Sequence, residues 1–412
     1  MATVPPAAAS FSWLDHSEEQ RRQVLDVLDL FREKSTIDEL GLGTVRDAFA
    51  DLLFPATSAP QTRARYFLFV PWIYLRLERL RVPAADVARR GRRAELELIE
   101  RLLASGESDG VIGRLARATL QRLPSNIYWS GLRRLGICLF PGSQDTYHQV
   151  LDQFYRGLRH AVVDSDGEVV ERPAANWDPS LPAPPDDFPE RATLALTEDE
   201  ADYLRGRIVA RAQGTLFEHL VTRTRAADAE AAEFPWTHPG LPEFSARIRD
   251  QLQHARNFSE VMHGANLLYN LCLAELSKNP SWQGDYETKL AQWAQDIDGR
   301  IGNLSGWDWS AFWRVVTSQG ARIAGSTRIF VEQWWELVIA KRRASTIRDD
   351  RVARQLIAAR ERQLKGPLAR VDNPRARELW GGAAGVDPLA YRWPNARRIA
   401  GDILVALEAA RA

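Results

Sequence analysis

Residues 36–76 read TIDELGLGTVRDAFADLLFPATSAPQTRARYFLFVPWIYLR. Thr44 to Phe54 has the spacing of a short amphipathic helix, with Val45, Phe49, Leu52 and Leu53 near one side and Arg46, Asp47 and Asp51 on the other. Phe54-Pro55 should end it, because proline pushes the residue before it out of the α region. After a loop at 56–60 comes a run from Tyr66 to Tyr74 that is apolar on every side, the pattern of a helix surrounded by protein. Arg63 and Arg65 stand at its start, where a cation opposes the helix dipole, so something negative is expected beside them. Two sources are open: the internal carboxylates of Asp47, Asp51 or Glu39, or an external phosphate held by Thr62, the two guanidinium groups and free helix N–H groups. Internal pairing with Asp51 is the reading for Arg65, and an external anion the reading for Arg63.

Of the 412 residues 45% are hydrophobic and 26% charged, enough to bury substantial cores. The 54 basic and 54 acidic residues cancel, so any attraction to nucleic acid must come from a local patch. Only five basic residues are lysine (Lys34, Lys278, Lys289, Lys341 and Lys365). GC-rich coding accounts for that bias, but arginine also suits bidentate contacts to phosphate wherever it clusters. Cys138 and Cys272 read as buried free thiols of a reducing compartment. No zinc spacing, signal peptide or apolar run of about 18 residues is present, so the expectation is a cytoplasmic protein that does not span a membrane and needs no cofactor or metal.

Along the chain, residues 1–10 read as a leader and Ser17–Lys34 as a helix capped by Ser17. Residues 86–104 form a charged amphipathic helix whose Arg89-Arg90-Gly91-Arg92-Arg93 run is the densest basic cluster; it reads as a solvated face partly neutralised by Glu95, Glu97 and Glu100. Residues 108–140 have the cadence of a winged helix-turn-helix: a helix at 110–122, a turn at 123–125, a second helix at 126–135 and a short strand at 137–140. The second helix would offer Ser125, Asn126, Tyr128, Arg133 and Arg134 to phosphates or base edges. Residues 164–190, rich in Pro and Asp, read as a linker or as an extended segment laid over a surface. Asp199-Glu200-Ala201-Asp202 imitates a helicase box, but with no P-loop in the chain Thr197-x-x-Glu200 is a capping box. The longest helix, 244–276, places Arg256, Ser259, Glu260, His263, Asn266 and Asn270 within an arc of about 120°. That arc is either a wet face or a buried polar network, with Glu260 and His263 a weak metal or acid–base pair. Thr327-Arg328 before Phe330 echoes Thr62-Arg63 before Phe67 as a second anion corner.

The fold class is therefore mainly α and multi-helical, in two or three helical subdomains: 11–163, with the embedded winged helix-turn-helix at 108–140, a linker at 164–190, and 191–412. The motifs DELGLG (38–43), RDAFADLLFP (46–55), TRARYFLFVPW (62–72), NIYWSGL (126–132), RNFSEVMHGANLLYN (256–270) and YRWPNARR (391–398) resemble those of a bacterial family of unknown molecular function. The resemblance covers most of the chain. It implies a context: such proteins are encoded beside large helicase-type proteins in anti-phage defence operons, and this chain is similar to the middle component of the Azaca defence system. It supplies no catalytic residues. Three functions follow as expectations: a non-enzymatic subunit of a defence complex that contacts DNA or other nucleic acid and a helicase partner, a pure protein-interaction scaffold, or a nuclease or hydrolase with an unrecognised site. The third has no Walker A motif, zinc ligand set or lysine-bearing nuclease constellation to stand on.

Overall fold

The computed structural model describes residues 38–159, 162–163, 169–171 and 175–411; the leader and the helix expected at 17–34 lie outside them. The protein is mainly α-helical. The helices are α1 (Gly43–Leu53), α2 (Tyr66–Arg79), α3 (Ala84–Ala104), α4 (Pro124–Arg134), α5 (Gln144–Arg159), α6 (Glu198–Arg211), α7 (Leu216–Arg223), α8 (Ala226–Ala231), α9 (Ala246–Leu276), α10 (Pro280–Ser305), α11 (Trp309–Thr317), α12 (Gly325–Trp335), α13 (Arg351–Lys365), α14 (Pro374–Glu378) and α15 (Trp393–Ala409). Among the described residues the only strands are β1 (Val162–Val163) and β2 (Val169–Glu171), an antiparallel pair.

The all-apolar run becomes α2, and every residue from Tyr66 to Tyr74 is buried. Each large side chain so buried stabilises the fold by roughly 1.5–3 kcal/mol. α3 and α4 both pack against α2. The turn between α2 and α3 closes in a Schellman pattern: Arg81 takes a left-handed backbone (φ +48°), its N–H donates to Glu78 O (2.8 Å), and Val82 N–H donates to Leu77 O (3.1 Å).

α9 and α10 form a long hairpin in the C-terminal half. Trp293 lies so close to Gly264 that a Cβ there would sit 2.2 Å from the indole, and only glycine permits that approach. α1 packs on α9 and α11, and α15 packs on α6, α7 and α8. One apolar cluster runs from Leu40 to Leu407. The segment 175–190 is laid over a surface: Trp177 Nε1 donates to Glu78 (3.0 Å), Trp72 Nε1 donates to Pro182 O (2.7 Å), and Phe188 stacks on Phe69.

The helix-turn-helix expectation fails in its first helix. Residues 111–122 form turns and a three-residue 3-10 helix, Arg117–Thr119. Gly110 and Gly113 both have positive φ, Leu115 is 88% exposed, and Arg92 takes the carbonyls of Ala118 (3.0 Å) and Leu120 (2.9 Å). Left-handed backbone at Gly113 and Arg117 interrupts the helical path, so the apolar spacing of Val111, Ile112 and Leu115 does not form one face. Of the expected strand at 137–140, only Cys138 makes a bridge, to Trp177.

Candidate functional site

The negative group demanded at the start of α2 is present, but it comes from the far end of the chain. Asp402, on α15, accepts from Arg63 Nε (2.9 and 3.0 Å) and from the Ala64 N–H (2.8 Å), and lies 2.9 Å from Arg63 Nη2. Burial disfavours the charge on Arg63, yet the hydrogen bond and charge of Asp402 hold its pKa above the ordinary value. Arg63 thus has an internal carboxylate where an external anion was expected. Thr62 Oγ1 donates to Gly110 O (2.6 Å), and the N–H groups of Thr62 and Arg63 both donate to Tyr128 Oη (2.9 and 3.1 Å).

Arg65 is paired internally, though with Glu200 (2.7 Å) instead of Asp51. Its Nη1 donates to Thr193 O (3.0 Å) and Oγ1 (2.9 Å), and its guanidinium lies 5.6 Å from the Phe69 ring centre. Glu200 also closes the capping box of α6 with Thr197. Asp51 serves Arg392 (2.7 Å), and Glu39 pairs with Lys365 and Arg370.

The other expected site residues divide between interior and surface. Ser125 is buried and donates its N–H (2.8 Å) and Oγ–H (2.7 Å) to Glu95. Asn126 Oδ1 accepts from the Leu123 N–H (2.9 Å), and its Nδ2 donates to Gln144 (2.8 Å). Ser125 does not face outward; Asn126 is exposed, but its amide is engaged at the start of α4. Arg133 and Arg134 are exposed; Arg134 lies 3.8 Å from Asp51. Thr327 Oγ1 accepts from Arg360 (2.7 Å), while Arg328 lies over Trp313 (5.0 Å), so the second corner does not combine its hydroxyl with its arginine.

On α9 two members of the polar arc, Asn270 and His263, bond to the segment 380–386. Asn270 Nδ2 donates to the carbonyls of Asn266 and Ala384 (2.8 Å each), and its Oδ1 accepts from the Ala384 N–H (2.9 Å) and Trp380 Nε1 (3.2 Å). His263 Nε2 donates to Val386 O (2.9 Å), and burial pushes its pKa down. Together they fasten the segment 380–386 onto α9. Glu260 is held by Arg256 (2.7 Å) and Arg300. Among the described residues no three His, Cys, Asp or Glu side chains gather as a metal site.

What stands open to solvent is the basic run on α3, together with two arginines of α2. Arg76, Arg89, Arg90 and Arg93 rim a groove of about 340 Å³, with Glu97 also in its lining, Leu80 at its lip, and Ile73, Leu77, Ala94, Phe188 and Pro189 along its floor. A second hollow of about 320 Å³ adjoins it, sharing Arg76 and Phe188 and adding Trp72, Leu75 and Arg79, with Asp186 and Glu190 among its lining. Of the three acidic residues expected to neutralise this run in part, only Glu97 lines the groove. Glu95 is 0% exposed and faces Ser125, Glu97 pairs with Arg101 (3.4 Å), and Glu100 pairs with Arg117. Arg89 pairs with Asp86 (2.7 Å), holding that carboxyl below its ordinary range. Arg76, Arg79, Arg90 and Arg93 are exposed and have no carboxylate partner among the described residues. Arg76, Arg79, Arg89, Arg90, Arg93 and Phe188 are all absent from the expected site, since the α3 run reads in sequence as a solvated face. The signal for the arginines was the paired i,i+3 spacing on two helices joined by a tight turn.

The chain matches the family of unknown function DUF6361 over residues 8–407 and belongs to it. No curated protein and no solved structure matches the chain. Among the described residues no helix is long and apolar enough to cross a membrane.

Proposed function

We propose that this protein is a non-enzymatic, cytoplasmic subunit that binds the phosphates of nucleic acid through the arginine-rimmed groove between α2 and α3, within an anti-phage defence complex that contains a helicase-type partner. The observation that carries the binding half is the set Arg76, Arg79, Arg90 and Arg93, exposed and without carboxylate partners among the described residues of a chain whose net charge is zero. Exposed guanidinium groups around two adjoining hollows favour an external anion, and phosphate suits their forked geometry. The defence setting rests on the sequence resemblance alone.

The test is binding of labelled DNA by the purified full chain across a range of salt concentrations. Replacing Arg90 and Arg93 by serine should weaken binding and flatten the salt dependence by about 0.7–0.9 of a log unit per lost phosphate contact. Equal affinity and slope for variant and parent would remove the groove from the reading. Absence of DNA binding, with capture of the helicase partner retained, would favour the scaffold function. The protein alone is expected to leave both ATP and DNA intact; metal-dependent cleavage abolished by one carboxylate substitution would overturn the non-enzymatic assignment.

A further inference from the structure

We infer that the groove takes single-stranded nucleic acid in preference to duplex, with the ring of Phe188 as a platform for an unstacked base; this rests on the phosphate-binding role proposed above. A duplex shows a protein its phosphates and groove edges, while its base faces stay stacked inside. A site for duplex therefore has no use for an apolar floor between its arginines. A single strand can turn its bases outward, and strand-binding sites combine cationic rims with exposed aromatic faces.

The groove between α2 and α3 has that composition. Its rim carries four arginines, Arg76, Arg89, Arg90 and Arg93, against one carboxylate, Glu97, and its floor carries Ile73, Leu77 and Phe188. Leu80, at the lip, is 63% exposed, a large apolar side chain at the edge of a cationic surface. Phe188 is half-buried and lines both adjoining hollows. It is held from behind by Phe69, stacked at 5.7 Å with an interplanar angle of 16°, and from the side by Trp72 at 5.2 Å. Such a braced ring loses little side-chain freedom when a base packs on its open face. The carboxylates Asp186 and Glu190 in the second hollow direct the phosphates toward the arginine side.

The probes are a labelled 20-nucleotide strand, the matching 20-base-pair duplex and poly-glutamate, measured by fluorescence anisotropy with the full chain. The expected result is tenfold or tighter binding of the strand over the duplex and no binding of poly-glutamate. Phe188→Ala should lose about tenfold in strand affinity with an unchanged salt slope, because stacking moves no counterions. Phe188→Leu keeps the apolar filling and guards against a folding defect; it too should lose affinity, with an unaltered circular dichroism spectrum. Equal affinity for strand and duplex, or a Phe188→Leu variant that binds as the parent does, overturns this inference and leaves phosphate binding standing. Binding of poly-glutamate in preference to either nucleic acid, or of no probe at all, overturns both.

Discussion

Replacing Glu95 by glutamine should change how the stability of the fold responds to pH. Glu95 is fully buried on α3 with both oxygens turned to Ser125. Burial pushes its carboxyl from 4.5 up to about 7, against the opposing pull of the Ser125 hydrogen bonds and the charge of Arg92. The folded protein therefore keeps a proton that the unfolded chain releases at lower pH. The stabilisation from that proton is complete below the unfolded value near 4.5 and is lost as pH rises through about 7. At 1.36 kcal/mol per pH unit, the loss between pH 5 and pH 8 is about 2.5 kcal/mol. Glutamine carries no such proton. Re-pairing Ser125 with an amide costs about 1 kcal/mol, but equally at every pH. The buried histidines, whose pKa values burial lowers, titrate in parent and variant alike and cancel in the difference. Urea unfolding followed by tryptophan fluorescence at pH 5, 6, 7 and 8 gives the comparison. The variant should gain on the parent steadily, by about 2.5 kcal/mol over the range. A difference constant within about 0.5 kcal/mol would show that the folded protein does not hold the proton on Glu95, and the reasoning would fail.

Glu200→Leu leaves Arg65 buried without its carboxylate and should cost about 3–5 kcal/mol, whereas Arg65→Met with Glu200→Leu should cost far less; additive effects in the cycle of these two substitutions, single and combined, would refute the pairing. Arg81→Gly relieves a left-handed backbone carrying a Cβ and should raise stability by about 1 kcal/mol in urea unfolding, with no change in the fold; a loss would show that the Arg81 side chain makes a contact of its own. Asn270→Ala removes all four side-chain hydrogen bonds to α9 and the 380–386 segment. Amide exchange at Ala384 should accelerate at least tenfold, and unchanged protection would mean that His263 and Tyr286 hold the segment unaided.

The sequence made the helices legible wherever a period had something to bury. The all-apolar run at 66–74 required a surrounded helix, the Thr197-x-x-Glu200 box required a helix start, and both are present. What the pattern could not supply was the identity of distant partners. The dipole argument required something negative at Arg63 and Arg65, and the nearest carboxylates in sequence were the natural candidates. The ones used, Glu200 and Asp402, are separated from Arg65 and Arg63 by 135 and 339 positions. Local chemistry fixes the need for a charge, whereas tertiary packing chooses which charge meets it.

The arginine run on α3 shows the converse, a feature whose meaning was in the sequence but hidden by counting charges without their directions. Glu95 counts toward neutralising Arg92 and Arg93 only if all three share a face. At 100° per residue, Val87, Gly91, Glu95, Leu98 and Leu102 form one stripe, and every one of them is buried. Gly91 belongs to that stripe because a Cβ there would meet Tyr74 Oη at 3.1 Å. Arg90 and Arg93 fall on a different face, toward Arg76 on α2. Glu97 and Glu100 are drawn away by Arg101 and Arg117. A charge run reads as a solvated and balanced face only when its counter-charges lie on the same side of the helix and have no nearer claimant. Glu95 fails the first condition and Glu97 and Glu100 fail the second, so positive charge is left in excess over an apolar floor.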